Sequence, residues 1–323
     1  MGALAKVLVT GGGTATALSV LKGLRLATDL PTHVVLGDPS SDIAGKHLAD
    51  EYVELPLANA DGYADDLLAI ARDLGVQLVV PVFDGEFAAV ADARQQFDDA
   101  GIRLAISSPD AIRQCRDKRQ TLALFERLGV AFPRTYSAGQ ALSLAGDAYP
   151  LFVKPADGRG SLDTFRVGDR TALAQALAAV HEPIIQECVE GDGIREVTID
   201  TMSNATGVLL GCSPRYRDET KAGQSYKGVT FQSDAIADAC RRICEALPIE
   251  GPACLQCFDT PSGPQFIEVN PRFGAATILS ITAGFNGPRF LVEETLGRTP
   301  TPLSARPGVR MLRYWQEVFV DVE

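Results

Sequence analysis

The sequence predicts an α/β unit followed by an α+β unit. Over the first hundred residues, short apolar runs alternate with stretches of helical apolar spacing, a pattern typical of a parallel sheet with right-handed helical crossovers. Further along, pairs of strand-like runs are separated by only a few residues, and such short connections require antiparallel pairing. We therefore expect a Rossmann-like N-terminal domain, followed by a region built on antiparallel sheet.

The N-terminal alternation begins with a strand over Val7–Thr10, a glycine turn and a helix over Ala15–Ala27. A second strand follows over His33–Leu36. The segments "DGYADDLLAIARDLG" and "GEFAAVADARQQFDDAG" have helical periodicity, while "VQLVVPVFD" and "IRLAIS" are strand-like. The series ends near residue 108.

The next segment predicts two short helices. Ser108 before Pro109 supplies an N-cap and a first helical residue, and Gly129 ends the second helix. "YPLFVKPADGRGSLDTFRV" then predicts strand, glycine loop and strand. A helix over Arg170–Val180 and the strand "PIIQECV" follow.

The remaining chain predicts two hairpins separated by a helix. "REVTIDTMSN" and "TGVLLGCSPRY" form a strand pair that turns at Asn204. "DAIADACRRICEAL" is helical. "ACLQCFDTPSGPQFIEVNPRF" is the second hairpin, turning at Pro261–Gly263–Pro264.

Composition limits the classes of partner that the protein is expected to bind. The net charge of −11 argues against a general nucleic-acid binder, which needs a basic face. No apolar run approaches the roughly 20 residues of a membrane span. Seven cysteines, an odd number in a large chain, fit a reducing compartment. We expect a cytoplasmic protein that engages neither nucleic acid nor membrane.

Four cysteines close together raise the question of a zinc site. Cys254 and Cys257 flank two residues of a predicted strand, where alternation directs their thiols to opposite faces instead of toward one metal. Cys240 and Cys244 have helical i,i+4 spacing, which is typical of core positions. We therefore favour structural cysteines over zinc.

"QFIEVNPRFGAA" predicts a metal site. Glu268 and Asn270 share one face of a strand, and their oxygens suit Mg²⁺. Gln256 lies on the preceding strand, within cross-strand range if the hairpin turns as predicted. Arg272 extends the same face. The alternative is an ordinary exposed polar strand face.

"LFVKPADGRGSLDTF" predicts a phosphate-binding loop. Lys154 closes an apolar strand, and Gly158, Gly160 and Ser161 follow in a loop rich in free backbone N–H groups. The loop lacks the GK[ST] of a P-loop, and no helix opens from it. A commonplace glycine hairpin loop is the alternative.

"IIQECVEGDGIREVTID" predicts a nucleotide hinge. An apolar strand runs into Glu187 and Val189, whose backbone groups suit an adenine edge. Beyond a glycine turn, the Glu196 carboxylate suits ribose hydroxyls. An ordinary acidic loop is the alternative.

Taken in order, these segments together with "SPDAIRQCRDKRQTLALFERLGVAFPRTY" resemble the ATP-grasp superfamily. They are most similar to the carboxylate–amine ligases built like the large chain of carbamoyl-phosphate synthase. The resemblance implies a Rossmann-like pre-ATP-grasp domain over 1–108, a small ATP-grasp subdomain over 109–188 and a C-terminal subdomain over 189–323. It also implies ATP and Mg²⁺ (or Mn²⁺) as cofactors, and small carboxylate and amine substrates.

The resemblance assigns a role to each motif residue. Two departures from the family pattern are Arg159 at the tip of the glycine loop and the lengthened "GDGIR" before Glu196. The implied roles are phosphate contacts for Lys118, Lys154, Gly158, Gly160 and Ser161; the adenine hinge for Glu187 and Val189; ribose for Glu196; Mg²⁺ for Gln256, Glu268 and Asn270; and phosphoryl transfer for Arg272 with Lys154.

The substrate residues are less defined. The basic segment 214–228 suggests a mobile loop over the site in which Arg217 or Lys221 binds a substrate carboxylate or ATP phosphates, although a solvated basic loop fits equally well. Glu86 is a candidate for holding the amine. The backbone N–H groups of Gly12 and Gly13, at a helix N-terminus, suit a carboxylate.

Two rival functions stay open. Gly11–Gly13 and Asp38 resemble the start of a nicotinamide-binding unit, as in an oxidoreductase or epimerase, although Thr16 replaces the third glycine of that fingerprint. An ATP-binding regulatory protein without turnover is the second rival. A homodimer is the default expectation for the assembly.

Overall fold

The computed structural model describes residues 4–158 and 162–321, which form three sheets with their flanking helices. No helix in this described part is long and apolar enough to cross a membrane. Each sheet supplies residues to a common cleft.

The N-terminal sheet is parallel, as the strand–helix alternation predicts, and the structure gives its strand order as β3-β2-β1-β4-β5. Its central strand β1 is buried on both sides, which is typical of a sheet covered by crossover helices. Its elements are β1 (Ala5–Val9), α1 (Ala15–Leu26), β2 (Thr32–Asp38), β3 (Glu51–Glu54), α2 (Tyr63–Asp73), β4 (Leu78–Val80), α3 (Phe87–Asp92), α4 (Arg94–Asp99) and β5 (Arg103–Leu104).

The second sheet is antiparallel, in the order β6-β9-β7-β8. The two predicted helices before it begin and end as expected: Ser108 accepts a hydrogen bond from the Ala111 N–H, and Gly129 ends the second helix at φ +63°. The elements are α5 (Pro109–Arg116), α6 (Lys118–Leu128), β6 (Thr135–Tyr136), α7 (Ala138–Leu142), β7 (Leu151–Pro155), β8 (Phe165–Val167), α8 (Arg170–Ala179) and β9 (Pro183–Glu187).

The third sheet has six strands in the order β14-β13-β10-β11-β12-β15, all paired antiparallel. Both predicted hairpins are confirmed. The elements are β10 (Arg195–Ser203), β11 (Leu209–Lys221), β12 (Gln224–Thr230), α9 (Asp234–Ala246), β13 (Gly251–Thr260), β14 (Gly263–Asn270), α10 (Thr277–Thr282), α11 (Gly287–Thr295) and β15 (Arg310–Leu312).

Alternation gives the six-stranded sheet two different faces. Val197, Ile199 and Leu255 point to the face covered by α9 and form a fully buried core with Ile243. Of the cysteines that raised the zinc question, Cys240, Cys244 and Cys257 lie in the same core, whereas Cys254 lines the cleft on the opposite face. The residues between them on each strand necessarily face the opposite side, toward the cleft.

The prediction that the basic segment 214–228 forms a loop is wrong. The structure shows a strand pair there: β11 continues to Lys221 and pairs with β12, with Arg215 opposite Thr230. The turn lies at Ala222 and Gly223, both with positive φ. Polar residues at its tip obscured the strand pattern, because both sides of the hairpin end are exposed there.

The N-terminal domain is joined to the C-terminal part through α1. Val20, Leu21 and Leu24 share one buried cluster with Phe285 and Phe290. This packing brings the β1–α1 turn to the edge of the cleft.

Gly45, in the 3₁₀ turn over Ala44–His47, allows that turn to approach the β1–α1 turn closely. A Cβ at Gly45 would lie 2.3 Å from the Gly12 carbonyl oxygen and 3.1 Å from the Leu36 side chain. We expect Gly45→Ala to lower the free energy of unfolding by about 1–3 kcal/mol, because the backbone at Gly12 must shift. Urea unfolding measures this change.

The matched control is Gly139→Ala. Gly139 lies in α7, and a Cβ there would meet nothing within 4 Å. That variant should be as stable as the parent or slightly more so. Equal stability of both variants would contradict the close contact at Gly45.

Candidate active site

A cleft of about 850 Å³ opens between the three sheets, within the size range of small-molecule sites. The β1–α1 turn and the loop after β4 form one wall, β7 and the hinge after β9 form the second, and the exposed face of the six-stranded sheet forms the floor.

One row of side chains crosses this floor. Glu268 of β14 lies opposite Gln256 of β13, Gln256 opposite Thr198 of β10, and Thr198 opposite Arg215 of β11. Residues directly opposite one another in an antiparallel sheet point to the same side. The predicted Gln256–Glu268 neighbourhood is therefore present, and the row continues to an arginine.

Asn270 lies in the next row on the same face, opposite Cys254. Its Nδ2 donates to the Cys254 carbonyl oxygen at 3.4 Å, which leaves Oδ1 as its free acceptor. One carboxylate and two amide oxygens are hard ligands, and Mg²⁺ commonly takes one or two carboxylates and completes its shell with water and substrate phosphates. The residues Gln256, Glu268 and Asn270 thus fit a magnesium ion that arrives with a nucleotide.

The two predicted lysines meet beside Glu268. Lys118 Nζ lies 3.7 Å from Glu268 Oε1 and donates to the Gly158 carbonyl oxygen at 2.6 Å. Lys154 is only 8% exposed. Burial, assisted by the Lys118 charge and opposed by Glu268, lowers the pKa of Lys154 to about 8. The pair therefore concentrates positive charge beside Glu268, at the end of the row that contains Gln256.

The hinge and the ribose candidate line the far end of the cleft. Glu187 accepts a hydrogen bond at Oε1 from the Arg134 N–H, at 2.9 Å, and Val189 follows it along the wall. Glu196 forms an ion pair with Arg217. Arg217 also donates to the Gly223 carbonyl oxygen at 2.7 Å, which ties it to the hairpin turn.

Arg272 connects the floor to the N-terminal domain. Its Nε donates to Asp84 Oδ1 at 2.8 Å. Burial opposes the charge of Arg272, but the Asp84 carboxylate outweighs it and raises the pKa of the guanidinium. Arg272 is thus held as a cation in the cleft wall between two domains.

The predicted role of Glu86 as a direct amine contact is corrected. Glu86 is 1% exposed and does not line the cleft. It accepts hydrogen bonds from the Thr10 and Tyr63 hydroxyls and from the N–H groups of Val82 and Phe83, the latter two at 3.2 and 3.1 Å. Burial raises the pKa of Glu86. Its structural effect is to hold the loop that carries Asp84.

Three other predicted substrate contacts also differ. The Gly12 N–H donates to the Gly37 carbonyl oxygen at 3.0 Å, and the Gly13 N–H donates to Asp38 Oδ2 at 2.9 Å, so neither donor is free for a carboxylate. Lys221 lies over the Tyr226 ring, 3.7 Å from its centroid, and is absent from the cleft wall. The Lys221 side chain therefore stacks on Tyr226 and does not reach into the cleft.

Two predicted loop residues, Gly160 and Ser161, lie outside the described residues, as does Arg159. Within the described ranges, no group of three or more His, Cys, Asp and Glu side chains is arranged to hold a metal ion. The zinc interpretation therefore gains no support from the cysteines.

Sequence reasoning missed two cleft residues. Asp84 directly follows a parallel strand and its loop, the edge at which such sheets bind ligands, and that position was the available signal. Arg215 alternates with Arg217 on one strand, so both share a face. Its burial, at 2% exposure, and its ion pair with Asp200 depend on packing that the sequence pattern does not reveal.

Two family models match the chain. A model described as an ATP-grasp domain matches residues 115–276. A second, described as a PylC-like N-terminal domain, matches residues 7–105. A search of curated proteins found no match.

Several solved structures share the fold. An N5-carboxyaminoimidazole synthetase from Staphylococcus aureus, complexed with ADP, is 14% identical with a TM-score of 0.71, over 97% of this chain and 81% of the other. A biotin carboxylase from Campylobacter jejuni is 15% identical with a TM-score of 0.70, over 94% and 74%. An L-amino acid ligase from Bacillus licheniformis is 18% identical with a TM-score of 0.69, over 95% and 78%.

The pKa of Lys154 predicts the pH dependence of nucleotide affinity. The lysine is protonated below about pH 8 and neutral above it, and only the ammonium form attracts phosphate. We expect the affinity for MgATP to be constant at neutral pH and to fall toward about tenfold per pH unit above pH 8. Titration calorimetry between about pH 6.5 and about pH 9.5 measures this affinity for MgATP.

Lys154→Arg provides the comparison, because a guanidinium stays charged throughout this range. In the Lys154→Arg variant, the affinity for MgATP should no longer fall above about pH 8. In Lys118→Arg, the fall in affinity should persist. A decline that persists in Lys154→Arg would assign the titration to another group.

Proposed function

The chain belongs to the ATP-grasp family of ATP-dependent enzymes, and on that premise we propose that it is an ADP-forming carboxylate–amine ligase. MgATP would phosphorylate the carboxylate of a small metabolite, for which an amino acid is the leading candidate, and an amine would capture the product as an amide. The proposal also includes a homodimeric assembly and a cytoplasmic location.

The observation that carries the proposal is the convergence of acceptors and cations at one point. Glu268 lies beside Gln256 on the sheet floor, and Lys118 approaches the same carboxylate to 3.7 Å. Lys154 interacts with both Lys118 and Glu268. Such a site suits the terminal phosphates of a nucleotide, whose negative charge the lysines offset.

In the first step, an oxygen of the substrate carboxylate attacks the γ-phosphorus of ATP. The bond between the γ-phosphorus and the bridging oxygen breaks, and ADP leaves with that electron pair. Lys118 and Lys154 stabilise charge on the transferring phosphoryl group, and Arg272 steadies it from the cleft wall. Gln256, Glu268 and Asn270 would hold Mg²⁺, which supplies further neutralisation of phosphate charge when bound.

In the second step, an amine attacks the carbonyl carbon of the acyl phosphate. The carbon–oxygen bond to the phosphate breaks, phosphate leaves with one oxygen of the original carboxylate, and the amine loses a proton as the amide forms. No nucleophilic side chain is required. Exclusion of water from the cleft while both substrates are bound would protect the intermediate from hydrolysis.

The residues on which the nicotinamide alternative rests are engaged in other contacts. Asp38 accepts hydrogen bonds from the N–H groups of Gly13 and Ser40, at 2.9 and 3.0 Å, so its carboxylate caps its own turn and is not free for a ribose. The glycines accommodate close packing, since a Cβ at Gly12 would lie 3.1 Å from the Leu36 side chain. This turn is better explained as part of the cleft wall.

The proposal predicts ADP release that depends on both MgATP and an amino acid. The twenty common amino acids, supplied singly and in pairs, are the first panel, with ADP and phosphate measured by coupled assay. Glu268→Ala should abolish this release while the protein stays folded, because it removes the only carboxylate among the proposed Mg²⁺ ligands.

Glu245→Ala is the matched control, because Glu245 is an exposed carboxylate on α9, outside the cleft. It should retain full turnover. Substantial residual turnover in Glu268→Ala would contradict the metal assignment. ATP binding without turnover on any acid would favour the regulatory alternative, and NAD(P)H binding without ATP binding would overturn the proposal.

A further inference from the structure

Arg215 is an almost fully buried guanidinium at the floor of the cleft. It lies in the same row as Gln256, two strands away and therefore about 10 Å along the sheet. Its Nη1 donates to Ser225 Oγ at 3.3 Å, and a Cβ at Gly274 would lie 3.2 Å from its Nη2. Arg215 thus bonds to the start of β12 and packs against the loop after β14, beyond the proposed phosphoryl site.

A second guanidinium bridges the adjacent residues of the same two segments. Arg313, which follows β15, donates through Nη1 to Gln224 Oε1 at 3.3 Å and through Nη2 to the Ala275 carbonyl oxygen. Because its contacts are the chain neighbours of those of Arg215, the two guanidiniums lie side by side. Burial and the nearby Arg215 charge lower the pKa of Arg313, as expected for two adjoining cations.

The local charges do not balance. Asp200 Oδ2 pairs with Arg215 Nε at 2.9 Å and also accepts from the Ser280 hydroxyl, while its buried Oδ1 has no hydrogen-bond partner. Among the residues at 4–158 and 162–321, no carboxylate lies within ion-pair distance of Arg313. Two cations are therefore matched by one acid; Arg215 lines the cleft, and Arg313 lies behind the cleft residues Gln224 and Ala275.

The surroundings form an opening of anion-binding character. Arg215, Gln224, Ser225 and the loop at Gly274 and Ala275 all line the cleft. Two neighbouring guanidiniums with one counter-charge favour a carboxylate in the cleft, to which Arg215 can donate charge-assisted hydrogen bonds.

We propose that Arg215 and Arg313 form a subsite for a carboxylate that is not phosphorylated, carried by the amine substrate. This inference rests on the proposed ligase function and deepens it. The acceptor is then an amino acid and not ammonia or a simple amine. Arg215 contacts the acceptor carboxylate from the cleft floor, while Arg313 orients Gln224 and adds its charge from behind.

The experiment separates the acceptor from the donor by using hydroxylamine. Hydroxylamine captures an acyl phosphate as a hydroxamate and carries no carboxylate. Each common amino acid is first tested as donor with MgATP and hydroxylamine. The best donor is then paired with amino acid acceptors and, for the best acceptor, with the corresponding decarboxylated amine.

Arg313→Ala is the informative variant, because Arg313 is only partly buried, whereas replacing Arg215 would leave Asp200 as an unpaired buried charge. We expect the KM for the amino acid acceptor to rise by about tenfold or more. Hydroxamate formation and the KM for ATP should change by less than about twofold, a difference too small to reflect a lost contact. The preference for the amino acid over its decarboxylated amine should collapse, and Arg313→Lys should restore part of it.

Arg310→Ala is the control, since Arg310 lies on the same edge strand and pairs with Asp218 outside the cleft. It should behave as the parent. An unchanged acceptor KM in Arg313→Ala, or an equal loss with hydroxylamine, would overturn the subsite. A raised donor KM would overturn its assignment to the acceptor. Absence of hydroxamate with every donor would refute the ligase function itself, and the subsite with it.

Discussion

The cleft depends on the register between β13 and β14. That register places Gln256 directly opposite Glu268 and continues through Thr198 to Arg215. A slip of one residue would turn the whole polar row into the core and expose Val269 and Leu255 instead. The apolar residues packed under α9 therefore determine, through alternation, which oxygens face the nucleotide. Packing on one face of the sheet and chemistry on the other are two consequences of the same pairing.

A second dependence runs between domains. Glu86 holds the loop after β4 through two hydroxyls and two backbone N–H groups, and that loop presents Asp84 to Arg272. An arginine in a cleft wall is useful for phosphoryl transfer only if its guanidinium is fixed in place. The N-terminal domain thus contributes orientation, and its glycine turn contributes close packing. Neither requires the dinucleotide chemistry that the turn resembles.

The fold was largely predictable, because strand–helix alternation and short hairpin connections are local signals. Gln256 and Glu268 were predictable as neighbours for the same reason. The sequence failed where tertiary contacts determine the result. Lys221 lies on a hairpin tip stacked against Tyr226, and the Gly13 N–H is taken by Asp38, which lies 25 residues away in sequence. Arg313 is farther still from Arg215 along the chain, and only the pairing of β15 with β12 brings them together.

The central claim is that a substrate carboxylate is activated as an acyl phosphate. Isotope transfer tests it most directly. The donor acid is prepared with ¹⁸O in its carboxylate, and the phosphate released during amide formation is analysed by mass spectrometry. The account predicts that each released phosphate carries one oxygen from the donor carboxylate, because the carbon–oxygen bond breaks in the second step. Phosphate free of ¹⁸O, released at the rate of amide formation, would contradict it.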